Sequence, residues 1–217
     1  MVVAHQLSSL NARRIILASG SPRRAELLQT LGVRFEVCVS TFDELLDKRL
    51  FTSAADYARE TALQKALEVA RRPSDAPPGL VIGADTVVDV AEHAAQTLDV
   101  LEKPDGPAGA RLMLGRLSGR RHRVHTGVAL VLPRAQGEPL VRSFSESTEV
   151  DFAELCPELI EAYVASGEPF GKAGAYGIQG VGGSFVRGIR GCFYNVMGLP
   201  LHRVTTELAR LLEDGEL

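Results

Sequence analysis

Arg23 and Arg24 stand side by side in the run "LASGSPRRAELL". Ser21 reads as a helix N-cap and Pro22 as the first helical residue, which puts both arginines on the first turn. That end of a helix is already electropositive, so each cation there costs roughly 0.3–1 kcal/mol. A polyanion reverses the sign, because turn amides, the helix dipole and forked guanidiniums all favour phosphate oxygens. The alternative is a solvated helix end whose arginines reach surface carboxylates.

A second group lies in "LVIGADTVVDV". The two-residue strand period puts Val81, Gly83, Asp85, Val87 and Asp89 on one side, and Leu80, Ile82, Ala84, Thr86 and Val88 on the other. A carboxylate inside such an apolar strand is costly unless it has a partner or a task. Gly83 leaves room for something to approach the backbone. Two readings of Asp85 stand: a functional carboxylate, or one paired to a nearby lysine. Lys65 shares a helical face with Ala58, Ala62, Ala66 and Val69, so its amine points either inward or, over an apolar stem, to water.

Further charges sit beside turns: Asp43 and Glu44 in "TFDE", and Lys103 in "LEKP". Asp43 and Glu44 precede a stretch that reads as helical, where acids are favoured. "GEPFGK" fails as a phosphate loop, with three residues between its glycines and Ala173 after Lys172. The glycines from Gly171 to Gly183 imply tight turns or a close backbone approach, with Gln179 able to read a polar edge. His122 and His125 fall on opposite faces of a strand, which argues against a zinc site. Cys38, Cys156 and Cys192 are widely spaced, suiting a reducing compartment rather than a disulfide framework. Cys38 and Cys192 read as core residues.

The elements that must position these groups alternate. "RIILAS" reads as a buried strand, followed by a helix closed at Gly32 and a strand in "VRFEVCV". A helix from Ser53 to Arg71 stops before Pro73, and the Asp85 strand follows. Then come a short strand in "LDVLEKP", a helix over 107–119, strands in "HRVHTGVALVL" and "LVRSFSESTEVDF", and a helix starting at Pro157. A final helix from about Pro200 places Leu201, Val204, Leu208, Leu211 and Leu212 on one face. This order predicts a mixed α/β fold.

The bulk numbers fit a globular chain with a real core: 217 residues, 45% hydrophobic and 24% charged. The net charge of −3 gives no case for nucleic acid or an anionic membrane, so anion binding must come from a local cation cluster. No apolar run approaches a membrane span, and the first residues lack the apolar core of a signal peptide. A cytoplasmic location is therefore expected.

Six motifs in order, "SGSPRRAELL", "TFDE", "GADTVV", "LEKP", "SGEPFGKAGAYGIQGVGGSFV" and "NVMGLPL", resemble the Maf family of nucleoside triphosphate pyrophosphatases. The similarity assigns residues 14–214 to one Maf-like domain and 1–13 to an N-terminal extension. It implies a mixed sheet with two lobes around a deep nucleotide-binding cleft, similar in shape to inosine triphosphate pyrophosphatases. "SPRR", "GADT" and "YGIQG" resemble the dTTP/UTP branch rather than the 7-methyl-GTP branch. The stretch from Leu31 to Arg72 is also similar to the Maf portion of an animal acetylserotonin methyltransferase-like protein, and no methyltransferase part is expected here.

The resemblance implies hydrolysis of a nucleoside triphosphate to monophosphate and pyrophosphate with Mg²⁺ or Mn²⁺, and a possible homodimer. By motif, Asp85 is the proton acceptor, and Ser19, Arg23, Arg24, Lys65, Lys103, Lys172 and Gln179 contact substrate. Glu44 and Asp85 associate with the metal, while Arg23, Thr86 and Gln179 set base preference. Gln64 stands where bacterial members often have an acid. Physics agrees: phosphoryl transfer needs positioning and charge stabilisation, and Mg²⁺ needs only one or two carboxylates beside substrate oxygens. The rival readings are a non-enzymatic nucleotide sensor, a γ-phosphate hydrolase and a 7-methyl-GTP enzyme.

Overall fold

The computed structural model describes residues 5–73, 75–90 and 98–217. Residues 1–4 of the expected extension lie outside them. Its remainder forms a short helix, α1 (Leu7–Asn11), whose Leu10 is buried in the main core and whose Asn11 donates to the Gly32 carbonyl at 2.9 Å.

Strand β1 (Ile15–Leu17) leads through the Ser-Gly-Ser turn into α2 (Pro22–Thr30), with Ser21 as N-cap. Gly32, at φ +76°, takes the left-handed conformation that lets the chain leave the helix. Strand β2 (Glu36–Val37) returns parallel to β1. The segment after it is irregular apart from one 3₁₀ turn, Lys48–Leu50, so Asp43 and Glu44 do not precede the helix expected there. That turn is instead capped by the Asp47 side chain, which accepts from the Arg49 amide. Helix α3 (Ala54–Ala70) begins at Ser53, whose hydroxyl accepts from the Asp56 amide, and its last turn ends before Pro73.

Strand β3 (Leu80–Asp89) is the long central strand. Beyond it lie β4 (Val100–Leu101), α4 (Gly106–Leu117), β5 (Arg121–Leu132), β6 (Leu140–Phe152), α5 (Pro157–Ala165), β7 (Val186–Arg190), α6 (Phe193–Met197) and α7 (Leu201–Glu213). The seven-stranded sheet runs β2-β1-β3-β5-β6-β7, with β4 paired to β3. Neighbours β2, β1 and β3 are parallel, whereas β3, β5, β6 and β7 are antiparallel. The mixed α/β expectation holds. Among the described residues no helix is long and apolar enough to cross a membrane.

Both faces of β3 are covered, as its apolar run requires. Leu80, Ile82 and Ala84 join the core built with Leu201, Val204, Leu208 and Leu211 of α7, and Leu212 packs against it partly buried. Each such side chain contributes roughly 1.5–3 kcal/mol on burial, enough to fix α7 to that face. Val81 meets Ala66 and Val69 of α3 on the other face.

Two glycines set how closely α3 lies on the sheet. A Cβ at Gly83 would overlap the Ala62 carbonyl oxygen, and one at Gly127 the Ala58 carbonyl. Gly127 pairs directly with Asp85 across β3 and β5. The close approach expected at Gly83 is thus made by a helix backbone, not by a ligand.

Candidate active site

Close seating of α3 explains Lys65. Its ammonium comes down beside β3 rather than over the sheet edge, 2.7 Å from Asp85 Oδ1 and 2.9 Å from Glu44 Oε1. Lys65 and Asp85 are both 6% exposed, so the amine does not escape to water, and the reading of Asp85 as a carboxylate paired to a nearby lysine is realised. Removing one partner from such a buried pair typically costs roughly 3–5 kcal/mol. Burial pushes the Asp85 carboxyl above its usual range, against the pull of Lys65 and Arg24. At Glu44 burial acts the same way, but Lys65 and Lys103 outweigh it and hold the carboxyl low. The Lys103 ammonium stands 3.6 Å from Glu44 Oε1.

The irregular segment that carries Glu44 is tied to α3. Glu68 accepts from the Ser40 hydroxyl at 2.8 Å, the Thr41 amide at 3.0 Å and the Thr41 hydroxyl at 3.2 Å, and is gripped by Arg72. The Arg72 guanidinium also reaches Cys38 Sγ at 3.0 Å, and Cys38 and Cys192 are half-buried rather than core residues. Asp43, beside Glu44, lies outside the cavity lining described next.

Arg24 is fixed by three uncharged acceptors, each at 2.9 Å: the Gly198 carbonyl, Ser19 Oγ and Thr86 Oγ1. Arg23 donates to the Gly171 carbonyl at 3.3 Å. Among the described residues neither arginine has a carboxylate within salt-bridge distance, so the solvated-end alternative fails. Burial lowers both guanidinium pKa values; at Arg24 the neighbouring Arg23 adds to this and Asp85 opposes it. No side chain caps the α2 N-terminus. Two positive groups thus stand at an electropositive helix end, without an ion-pair partner among the described residues, an arrangement that favours an anion.

These groups border one cavity of about 540 Å³. Ser19, Arg23, Arg24, Glu44, Lys65 and Asp85 line one part of it, and Thr86, Lys103, Lys172 and Gln179 complete the residues singled out from the sequence. Burial, then Arg23, lowers the Lys172 pKa, while Gln179 is exposed. His122 and His125 do not join them: His122 Nε2 meets the Tyr176 hydroxyl at 2.9 Å and His125 Nδ1 meets Ser147 Oγ at 2.8 Å. Among the described residues no cluster of three or more His, Cys, Asp or Glu could hold a metal ion.

Residues 14–211 match the family described as Maf-like protein. The chain belongs to that family. It is 47% identical to the "Probable bifunctional dTTP/UTP pyrophosphatase/methyltransferase protein" of Homo sapiens, over 97% of this chain and 34% of that one, so it spans about a third of that relative. It is 46% identical to the "dTTP/UTP pyrophosphatase" of Bacillus cereus (strain ATCC 10987 / NRS 248), covering 91% of this chain and 90% of the relative. A HAM1 protein from Coxiella burnetii resembles it with a TM-score of 0.48 at 17% identity, over 91% of this chain and 99% of that one.

This Maf-like chain also holds its site with residues that sequence reasoning missed. Thr86 Oγ1 meets Thr126 Oγ1 at 3.0 Å, and Thr126 donates to the Asn195 carbonyl at 2.9 Å. Asn195, fully buried, donates to the Val124 carbonyl at 2.9 Å and Thr148 Oγ1 at 3.0 Å. The hydroxyls form a line from Arg24 through the sheet to α6. A threonine on an apolar strand and an asparagine in a short aromatic helix were the available signals, but their meeting depends on the β3–β5 register.

Proposed function

We propose that this chain hydrolyses dTTP and UTP between the α and β phosphates, releasing the monophosphate and pyrophosphate. The observation that carries this reading is a buried Lys65–Asp85 pair, joined by the exposed Glu44, sharing one cavity with two arginines that among the described residues have no ion-pair partner of their own. The names of the Bacillus cereus and human relatives support the same substrates.

Asp85 accepts the proton of the attacking water. Its raised affinity for protons makes it a better base than an ordinary aspartate. Water oxygen bonds to the α-phosphorus as the bond to the bridging oxygen breaks, and the electron pair leaves on pyrophosphate. Arg23, Arg24 and the open α2 amides hold the charge that gathers on the leaving group. Lys65 holds Asp85 and Glu44 at fixed separation, while Lys103 and Lys172 bring further positive charge to the substrate.

Asp85 and Glu44 both reach the Lys65 ammonium, and as neighbouring hard-oxygen donors they would hold Mg²⁺ or Mn²⁺ in company with phosphate oxygens and water. When bound, such an ion neutralises phosphate charge and acidifies water. Gln179 presents both a donor and an acceptor, matching the carbonyl and imide edge of a pyrimidine. Thr86 fixes Arg24 beside the pocket and so acts on the phosphate side of the site, leaving the choice of base to Gln179. Unpaired cysteines suit a reducing compartment, and we place the chain in the cytoplasm.

The test is a panel of nucleotides with Mg²⁺ and with Mn²⁺, products identified by chromatography. Monophosphate and pyrophosphate from dTTP and UTP are expected. Diphosphate with orthophosphate, turnover confined to 7-methyl-GTP, or binding without product would each overturn the reading.

A further inference from the structure

The glycine-rich passage has an unusual centre: a carboxylate rather than a ligand. Glu168 follows α5 and turns back under the chain that carries Gln179. Its Oε1 accepts from the Tyr163 hydroxyl at 2.9 Å and the Gly182 amide at 3.1 Å, and its Oε2 accepts from the Val181 amide at 3.0 Å. Tyr163, buried against Phe185, also receives the Gly177 amide on its oxygen at 3.2 Å.

The glycines answer to this carboxylate. A Cβ at Gly180 would overlap Glu168 Oε1, and a Cβ at Gly182 would overlap the Tyr163 hydroxyl. Gly180 has φ −110°, so a side chain there is opposed not by the backbone but by the Glu168 carboxylate, which would have to move. Burial pushes the Glu168 carboxyl up, but the bonds from Gly182, Tyr163 and Val181 outweigh it and keep the group ionised. Hydrogen bonds to a charged acceptor are the stronger kind, and here two of them hold the chain just after Gln179, while the Tyr163 oxygen holds Gly177 before it. Gln179 itself is exposed at the cavity, so its aim depends on the turn it rides on.

We propose that Glu168 is a specificity-positioning residue, fixing the 177–183 turn so that Gln179 meets the base. This rests on the assignment of Gln179 as the base reader. Glu168 does not act on the phosphates. A turn that is ordered before the nucleotide arrives spares the nucleotide the cost of ordering it, so loosening it raises KM rather than lowering kcat.

The experiment compares Glu168→Gln, Tyr163→Phe and Gly180→Ala with Gln179→Ala, using dTTP, a purine triphosphate and inorganic tripolyphosphate, a polyanion with no base. Losing one bond to a charged group predicts roughly a tenfold rise in KM for dTTP for Glu168→Gln, with kcat within about twofold. The preference for pyrimidine over purine should fall by a similar factor, amide exchange should quicken within 177–183, and inhibition by tripolyphosphate should stay put. Tyr163→Phe and Gly180→Ala should move the same readouts, and they carry the test if Glu168→Gln does not fold. Wild-type KM and preference in folded variants, with preference lost in Gln179→Ala, overturns the proposal and leaves the base reader standing. Unchanged preference in Gln179→Ala removes the base reader, and the role of Glu168 goes with it. Equal loss of tripolyphosphate inhibition and kcat would mark general damage and also overturn it.

Discussion

The two ends of the cavity are built on opposite plans. At the Asp85 end the innermost charged groups are carried by a central strand and two helices, with Glu44 and Lys103 on irregular chain beside them: β3 brings Asp85, α3 brings Lys65 and α2 brings Arg24. Each is fixed from several directions, Arg24 by acceptors on β1's following turn, β3 and the end of α6. At the Gln179 end a run of glycines is held by one carboxylate and one phenol. The first plan gives precision to charges that must not move. On the proposed reading of Gln179, the second lets base preference change by loop substitutions that leave the sheet untouched.

That contrast breaks first at Asp85. Asp85→Asn should lower kcat by roughly 10²–10⁴-fold with nucleotide affinity retained, measured by steady-state kinetics and calorimetry. Near-normal turnover would remove Asp85 from the base role. Arg24→Lys comes next, because an ammonium cannot satisfy three acceptors and a phosphate at once; a roughly hundredfold loss in kcat/KM is expected, on the scale of losing one charge-stabilising donor. Full activity in that variant would show that the fork is irrelevant.

Smaller effects sharpen the comparison. Thr86→Val keeps the side-chain volume but deletes one acceptor of Arg24, and should cost roughly tenfold in kcat/KM for purine and pyrimidine triphosphates alike. Gln179→Glu should instead change the ratio between bases, by less than about tenfold, with tripolyphosphate inhibition unaltered. Should the two variants show the same pattern, the division between the two ends would be lost. The smallest effect is on stability. Glu68, holding the Glu44 segment, titrates at about 2 rather than near 4.5, chiefly because Arg72 donates to it. Its contribution is complete above the ordinary value and is lost as pH falls toward about 2. Glu68→Gln should therefore narrow the gap in urea midpoint between pH 5 and pH 3, and an unchanged gap would discount the clasp.

The sequence revealed the Asp85 end better than the loop end, for a physical reason. A carboxylate in an apolar strand and two cations at a helix start are local anomalies, visible without the fold. Lys65 was ambiguous because an amphipathic stem fits both burial and solvent, and only the seating of α3 decides it. Fold class and most long elements followed from periodicity; β6 coincides with its expected span, Leu140–Phe152. Five-residue helices such as α1 and α6 are too short to carry a period. The helix expected after Glu44 failed because Asp47 caps a single turn and Glu68 captures the chain from 28 residues away. Glu168, too, was seen only as part of a failed phosphate-loop pattern, since its partners lie on both sides of it in the chain.

The bare peptide surfaces at Gly83 and Gly127 set more than packing density. Because α3 rests there on main chain, the gap between the Lys65 nitrogen and the Asp85 oxygen is gauged by invariant covalent geometry. Exchanging one aliphatic residue for another elsewhere in the interior leaves that gauge alone. A single methyl at either glycine would lift the whole helix, separating ammonium from carboxylate without altering any residue that meets the nucleotide.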